Sequence, residues 1–327
     1  MDRSKYNTSS ILKLTCMFFL LIVFTFPAFA DDVTSFDLSA ITSSPIPDVM
    51  LNNGAATHSI PIQVPPGRNG MTPNLAITYN SYGNNSWLGV GWDLKVPEIV
   101  RSRDAGINYG DNRFELHSPG NNTDLVETAP MSNSYREKIN NSFTKYYHAP
   151  LQSYPWKVDH RNGTLAMYGS STASRESNLH GTSRWCLDRI TDTNFNAIEY
   201  SYDEIDGHLY LAEIKYVETG SGFLNRIEFE LEGTDRPDTR ICYATGSLTR
   251  MSRLLSRVNI YQNDILIRRY TCQYEPGQST NRSRLKQIDI SAWDEDGANE
   301  RTQPTIKFSY QDGGRVTILS AAVSTTD

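Results

Sequence analysis

Beyond residue 30 the 327-residue chain has no apolar run long enough to cross a bilayer as a helix, so no membrane-spanning segment is expected in its body. Cysteine is scarce: Cys16 lies in the leading segment, and only Cys186, Cys242 and Cys272 follow it. Three thiols allow at most one disulfide within the chain, which excludes a disulfide-built scaffold. Blocks of like charge are missing too. The acidic excess, a formal −6, is spread thinly along the sequence, which favours solubility and argues against nucleic acid as a partner. Helix-period segments are few, and neither Gly-x-Ser-x-Gly nor His-Glu-x-x-His occurs, so a hydrolase elbow and a zincin helix are excluded. The histidines (58, 117, 148, 160, 180 and 208) are scattered without metal-ligand spacing, and neither a metal nor a cofactor is expected.

What is present begins with a leader. Lys5 and Lys13 precede an apolar run from Leu14 to Phe26, and Ala28-Phe29-Ala30 supplies a small-x-small cleavage pattern. Residues 1–30 therefore read as a secretory signal peptide, too short and wrongly flanked to span a membrane. Its removal takes away three basic residues and one acidic residue, leaving a formal charge of −8. The expectation is a secreted protein that passes through the periplasm. Roughly 300 residues remain, enough for one large β domain or two small ones. Residues 31–58 are polar and rich in Ser, Thr and Pro, an extended lead-in. Residues 59–310 read as the folded domain, and 311–327, small and polar, as the start of a following unit or a tail.

The domain is organised around residues 59–103. Ile60, Ile62 and Val64 alternate with polar residues and run into the rigid turn Pro65-Pro66-Gly67, followed by Arg68 and Gly70. A second alternation, Leu75, Ile77 and Tyr79, leads to Trp87-Leu88-Gly89-Val90-Gly91-Trp92. Period-two alternation punctuated by Pro and Gly predicts antiparallel strands with tight turns. Gly89 and Gly91 beside two tryptophans predict a backbone lying close under large rings. Downstream, Asn162-Gly163 between alternating runs is a hairpin signal. Further strands are expected at 209–216, 226–231, 241–243, 257–262, 265–274, 285–292 and 305–310, at the spacing of one continuous antiparallel sheet. A single helical turn around Tyr135 to Ile139 is the one exception. Cys242 and Cys272 each lie in a strand-like run, so pairing across strands and two free thiols both stand open.

The ordered run I-P-I-x-V-P-P-G-R-N-G-x-x-P-x-L-x-I-x-Y-N-S, then L-G-V-G-W-x-L and P-E-I-x-R, resembles the opening of the SpvB-type amino-terminal domain. That domain is shared by toxin-complex B components and Rhs/YD-repeat toxins. From Trp185 the segment W-C-L-D-R-I-T-D-T-N-F-N-A-I-E-Y-S-Y-D resembles a degenerate YD unit. The resemblance implies an all-β chain, a long curled sheet forming part of a hollow shell around a toxic domain. Its implied partners are other toxin-complex or Rhs subunits, or the remainder of a longer chain, and family toxins act in host cytoplasm. The positions implied to carry the scaffold are Pro65, Pro66, Gly67, Arg68, Gly70, Tyr79, Gly89, Gly91 and Trp92. Complete members continue into repeats and a cargo, so a chain stopping at Asp327 is expected to lack the toxic unit.

Each catalytic pattern has a plainer reading beside it. ADP-ribosyltransferase chemistry, found in some relatives, needs Glu-x-Glu and a Ser-Thr-Ser strand. Glu228-Phe-Glu230-Leu-Glu232 supplies the first and Ser170-Ser171-Thr172 lies upstream. Ile227, Phe229 and Leu231 alternate with those glutamates, as on the wet face of an edge strand. Asp192, Asn194, Asn196 and Asp203 mimic a calcium loop, but Ala197 stands where Gly is required, so an Asx-rich turn is expected. Asp294-Glu-Asp296-Gly297 is likewise expected to be a hairpin turn. The Ser-x-x-Lys matches at Ser142 and Ser283 lack their companion motifs. The rival to a scaffold is a binding module that recognises a glycan or host surface receptor through aromatics. It requires Trp87 and Trp92 to be exposed.

Overall fold

The computed structural model describes residues 48–310, apart from 52, 105, 140–141, 150–154 and 295, together with the backbone of 316–317. All of these lie within one compact unit, 44–327. The leader at 1–30, the first part of the lead-in and most of the 311–327 segment lie outside the described residues. Among the described residues the fold is built from strands, with two single 3₁₀ turns at Arg68–Gly70 and Thr172–Ser174. Among the described residues Asp48–Val49 already pairs with Ala56 and Thr57, ahead of residue 59, and His58 and Ile60 are buried.

The first sheet joins β1 (Ala56–Pro61), β2 (Ala76–Asn80) and β3 (Trp92–Asp93), with Asp48–Val49 on the outer side of β1. Its register sets Ile60 opposite Ile77 and Tyr79 opposite Trp92, so one face collects the apolar residues of the alternating sequence.

Eight strands then close a ring. They are β4 (Glu98–Arg101), β5 (Phe114–Ser118), β6 (Asn121–Glu127), β7 (Ser134–Glu137), β8 (Lys145–His148), β9 (Trp156–Asp159), β10 (Leu165–Tyr168) and β11 (Gly181–Thr191). Each pairs antiparallel with the next, and β11 returns to β4 with Trp185 opposite Ile99. Closure leaves this part of the sheet without an edge.

The other side of Arg189 to Thr191, at the end of β11, starts a second sheet. It runs through β12 (Ala197–Ile205), β13 (His208–Thr219), β14 (Gly222–Leu231), β15 (Leu255–Gln262), β16 (Ile265–Pro276) and β17 (Ser283–Trp293). Register shifts interrupt four of the five pairings from β12 to β17, the exception being β13 with β14. Such bulges increase local twist and curl a long sheet. Beyond β17, among the described residues, the short strands Glu300–Thr302 and Ile306–Lys307 follow along its edge.

Two cores result, and β11 belongs to both. Trp185 and Leu187 point into the ring with Phe114, Tyr135, Trp156, Val158 and Tyr168. Cys186, on the opposite face of the same strand, packs into the core between the first sheet and the long sheet. That second core includes Ile60, Ile77 and Trp92 from one side and Ile214, Ile227, Val258 and Ile288 from the other. Each fully buried large apolar side chain contributes about 1.5–3 kcal/mol.

The continuous antiparallel sheet expected over 209–310 is present as β13 to β17, while the strand expected at 241–243 stands apart in its own hairpin. One expectation needs correction, and one open alternative is resolved. Tyr135 is in strand β7, not a helical turn, since its ring is drawn into the ring core. Cys186, Cys242 and Cys272 are all free thiols. Cys242 lies on a separate hairpin, Arg240–Cys242 with Thr249–Met251, while Cys272 faces the sheet core, so no cross-strand pair forms.

The ring depends on Trp185, which meets Phe114, His148 and Trp156 edge-on. Trp185→Ala should lower unfolding free energy by about 3–5 kcal/mol in urea titrations. Phe195→Ala, at an exposed turn, should stay within about 0.5 kcal/mol of the parent. Equal effects would contradict the packing described.

Candidate functional site

The Gly-bracketed aromatic stretch is held on all sides. Gly91 has φ +80°, and a Cβ there would lie 2.6 Å from the Tyr79 ring. Gly89 has φ +88°, and its Cβ would lie 2.6 Å from the Ser283 carbonyl oxygen of β17. Both conditions demand glycine. Trp92 is 0% exposed and Trp87 8%, so the open aromatic groove required for a binding module is not there. Trp92 packs on Phe308 at 4.4 Å and Tyr79 at 5.1 Å, and its Nε1 donates to the Tyr310 hydroxyl at 2.9 Å. The Pro65-Pro66-Gly67 turn is anchored as well. Tyr216 donates to the Pro65 carbonyl at 2.8 Å, Gly67 N–H to Thr72 Oγ1 at 2.7 Å, and Arg68 Nη1 to the Glu218 carbonyl at 2.9 Å. Pro66 and Gly70 complete that turn, Gly70 at φ +76°.

Sequence reasoning missed the clamp that fixes this stretch. Arg236 is buried, and its Nη1 donates to the Ser86 carbonyl while Nη2 donates to Asn85 Oδ1, both at 2.5 Å. Its Nε meets Asp238 Oδ1 at 2.9 Å. Asp238 Oδ2 also accepts from Asn85 Nδ2 and from the Ser283 backbone, each at 2.8 Å. Burial would push the Asp238 carboxyl up, but the hydrogen bonds from Arg236 and Ser283 outweigh it and hold it well below the usual range. Partners 150 residues apart leave no local signal.

A cavity of about 360 Å³ opens beside the clamp, lined in part by Trp87, Asp93, Glu98, Glu176, Arg184 and His208. Glu98, Glu176, Arg184 and His208 already have partners. Arg184 reaches Glu98 and Glu176, each at 2.6 Å, and His208 Nδ1 lies 3.1 Å from Glu176. His117 bridges Glu98 at 3.4 Å and Glu115 at 3.1 Å. Burial raises the Glu98 carboxyl, yet Arg184 and His117 win and hold it at about 2. The Cys186 thiol behind them is pushed well up, chiefly by burial, and is inert as a nucleophile at neutral pH. This arrangement ties ring strands β4, β5 and β11 to β13. Within it the Glu98 and Glu176 carboxylates are engaged by Arg184, His117 and His208.

The other sequence candidates resolve into structure. Glu228 and Glu230 lie on the outer face of β14, where they accept from Tyr261 at 3.1 Å and Arg257 at 3.0 Å. That strand is interior, paired to β13 and β15, so the expected edge is corrected: the wet feature is a face. Ser170 and Ser174 donate to Asp188. Asp192 accepts from the backbones of Asn194 and Asn196 at 2.8 Å, which is an Asx-type turn. Asp104, Glu115 and Asp124 bring carboxylate oxygens within 4.8 Å of one another. Lys138 at 2.7 Å from Asp124 and His117 beside Glu115 offset part of that charge.

The Glu98 network makes acid stability testable. Its folded carboxyl lies at about 2 against an ordinary 4.5, so its contribution is complete above that ordinary value and lost as pH falls from 4.5 towards 2. His117 is shifted up, first by its hydrogen bond to Glu98, so its share is present below 6.5 and fades as pH rises past it. Glu98→Gln should cost about 1–3 kcal/mol at neutral pH and flatten the urea midpoint's fall below pH 4.5. Parallel midpoint curves for the two proteins would contradict this.

Comparisons with known proteins agree on one family. The family model "Salmonella virulence plasmid 65kDa B protein" matches residues 50–222. The Mono(ADP-ribosyl)transferases SpvB of Salmonella choleraesuis (strain SC-B67) and Salmonella enteritidis are 24% identical, over 46% of this chain. The match spans only 30% of the length of those relatives. Among solved structures, the N-terminal domain of effector protein SpvB from Salmonella typhimurium strain LT2 aligns with TM-score 0.61 at 20% identity. It covers 72% of this chain and 99% of that domain. TcdB2-TccC3-TEV aligns with TM-score 0.68 at 21% identity, over 81% of this chain and 16% of its own. The Tc holotoxin pore of Photorhabdus luminescens gives 0.64 at 20%, over 82% and 16%. These likenesses show a common fold. With more than half of its length matched by the family model, the chain belongs to the SpvB family.

Proposed function

We propose that this chain is a non-catalytic structural module of an exported virulence protein, a segment of wall that encloses or presents a toxic domain. The observation that carries the reading is the burial of Trp87 and Trp92 between sheets, together with the mutual pairing of Glu98, Glu176 and Arg184 at the adjacent cavity. Residues suited to recognition or chemistry are spent on holding strands in place. The fold shared with TcdB2-TccC3 supports a toxin-complex setting, in which other toxin subunits or more of the same polypeptide are the partners. The transferase named in the curated relatives lies outside this reading, since the solved domain that matches is the N-terminal one. The leader-like pattern at residues 1–30, basic residues ahead of an apolar run and Ala28-Phe29-Ala30, supports export.

Among the described residues beyond β17 the sheet continues through two short strands, and Glu300–Thr302 is exposed. A wall segment is made to pair onward at such an edge. In sedimentation velocity the chain should therefore self-associate as concentration rises, whereas a strict monomer throughout would contradict the wall reading. Incubated with NAD labelled in its ADP-ribose moiety and a eukaryotic lysate, the chain should transfer no label. Labelled lysate protein would overturn the non-catalytic assignment.

A further inference from the structure

The ring encloses one imidazole. His148, at the end of β8, stacks on Trp156 with centroids 4.4 Å apart and planes 22° from parallel. Phe114 at 4.9 Å and Trp185 at 5.8 Å meet it edge-on, so aromatic side chains from β9, β5 and β11 surround it. Its Nε2 has no hydrogen-bond partner, and neither do the Tyr135 hydroxyl and Trp156 Nε1 in the same core. The charge acting on it is the Arg101 guanidinium of β4, which lies over the Phe114 and Trp185 rings at 5.2 and 5.7 Å. The other titratable groups of this core are the hydroxyls of Tyr135 on β7, Tyr146 on β8 and Tyr168 on β10, with Tyr200 of β12 packed against it. The Glu137 carboxylate of β7 is occupied by the Tyr146 and Ser142 hydroxyls, at 2.8 and 2.9 Å. A neutral imidazole fits such a box, whereas an imidazolium would lack an acceptor and share the core with a like charge.

We propose that the ring is an acid-operated clasp. Protonation of His148 requires β7 and β8 to part from the ring core, which opens on the side remote from β11 while the long sheet stays closed. Burial, assisted by Arg101, pushes the imidazole down to about 4 from 6.5. It therefore stabilises the closed ring fully above pH 6.5 and progressively less as pH falls towards 4. Between pH 7.5 and pH 5 the opening equilibrium should rise about 30-fold. This window lies above the one in which Glu98 titrates. The other buried imidazole with a lowered pKa near a tryptophan, His58, packs on Trp92 outside the ring and serves as the control.

The test is hydrogen exchange of the full chain at pH 7.5 and 5, corrected for the intrinsic pH dependence of amide exchange. Peptides from β7 and β8 should show the roughly 30-fold loss of protection, while those from β15 and β16 should change little. His148→Phe should abolish the response and His58→Phe should leave it intact. If His148→Phe does not fold, His148→Gln, neutral at both pH values, carries the same expectation. Unchanged protection of β8 in the parent chain would overturn the proposal. So would an undiminished response in either His148 variant, or equal loss of protection throughout the molecule.

Discussion

The structure depends on one strand buried on both faces. In β11, Trp185 and Leu187 enter the ring while Cys186 enters the core of the long sheet. A half-buried strand of a sheet needs apolar residues only at every second position. Here the run Trp185-Cys186-Leu187 must be apolar throughout, because water is excluded from either side. The strand also has pairing duties in several directions: to β4 and β10, to the short strand Arg175–Asn178, and to β12. A ring and a sheet that share such a strand cannot be treated as separate domains.

Double burial leaves polar groups that must be satisfied far from water. Arg184 stands on β11 beside Cys186, and its guanidinium would be costly there without the carboxylates of Glu98 and Glu176. The Arg236–Asp238 clamp does the same for the backbone around Ser86 and Ser283. These are the charged clusters a search for catalysis would select first. Both are closed networks with their donors and acceptors engaged, and this is why a scaffold accounts for them better than chemistry does. Removing either member of such a pair strands the other, so the clusters are structurally demanding even though nothing reacts at them.

Much of the fold was legible because it is written locally. Alternation at Ile198, Tyr200 and Tyr202, and along 265–274, marks β12 and β16. Asn162-Gly163 marks the turn between β9 and β10. Gly89 and Gly91 announced a backbone pressed against other atoms, although the sequence could not say that one obstacle is Ser283 in a strand nearly 200 residues on. The ring closure was not legible. Ile99 and Trp185 pair across a large separation in sequence, and period-two patterning fixes which face is buried without fixing the neighbour. Tyr135 misled for a related reason: its short strand sits among polar residues, and only tertiary packing makes it β. The thiols of Cys242 and Cys272 lay in similar-looking runs that belong to different sheets.

The most direct test of the central role of β11 is native-state hydrogen exchange at neutral pH, read amide by amide. If the shared strand holds ring and sheet together, the amides of residues 185–190 exchange only through global unfolding, and their opening free energy equals that from urea denaturation. Exchange of those amides through a smaller, local opening, while β14 to β16 remain protected, would show that ring and sheet are joined only loosely and would contradict the account.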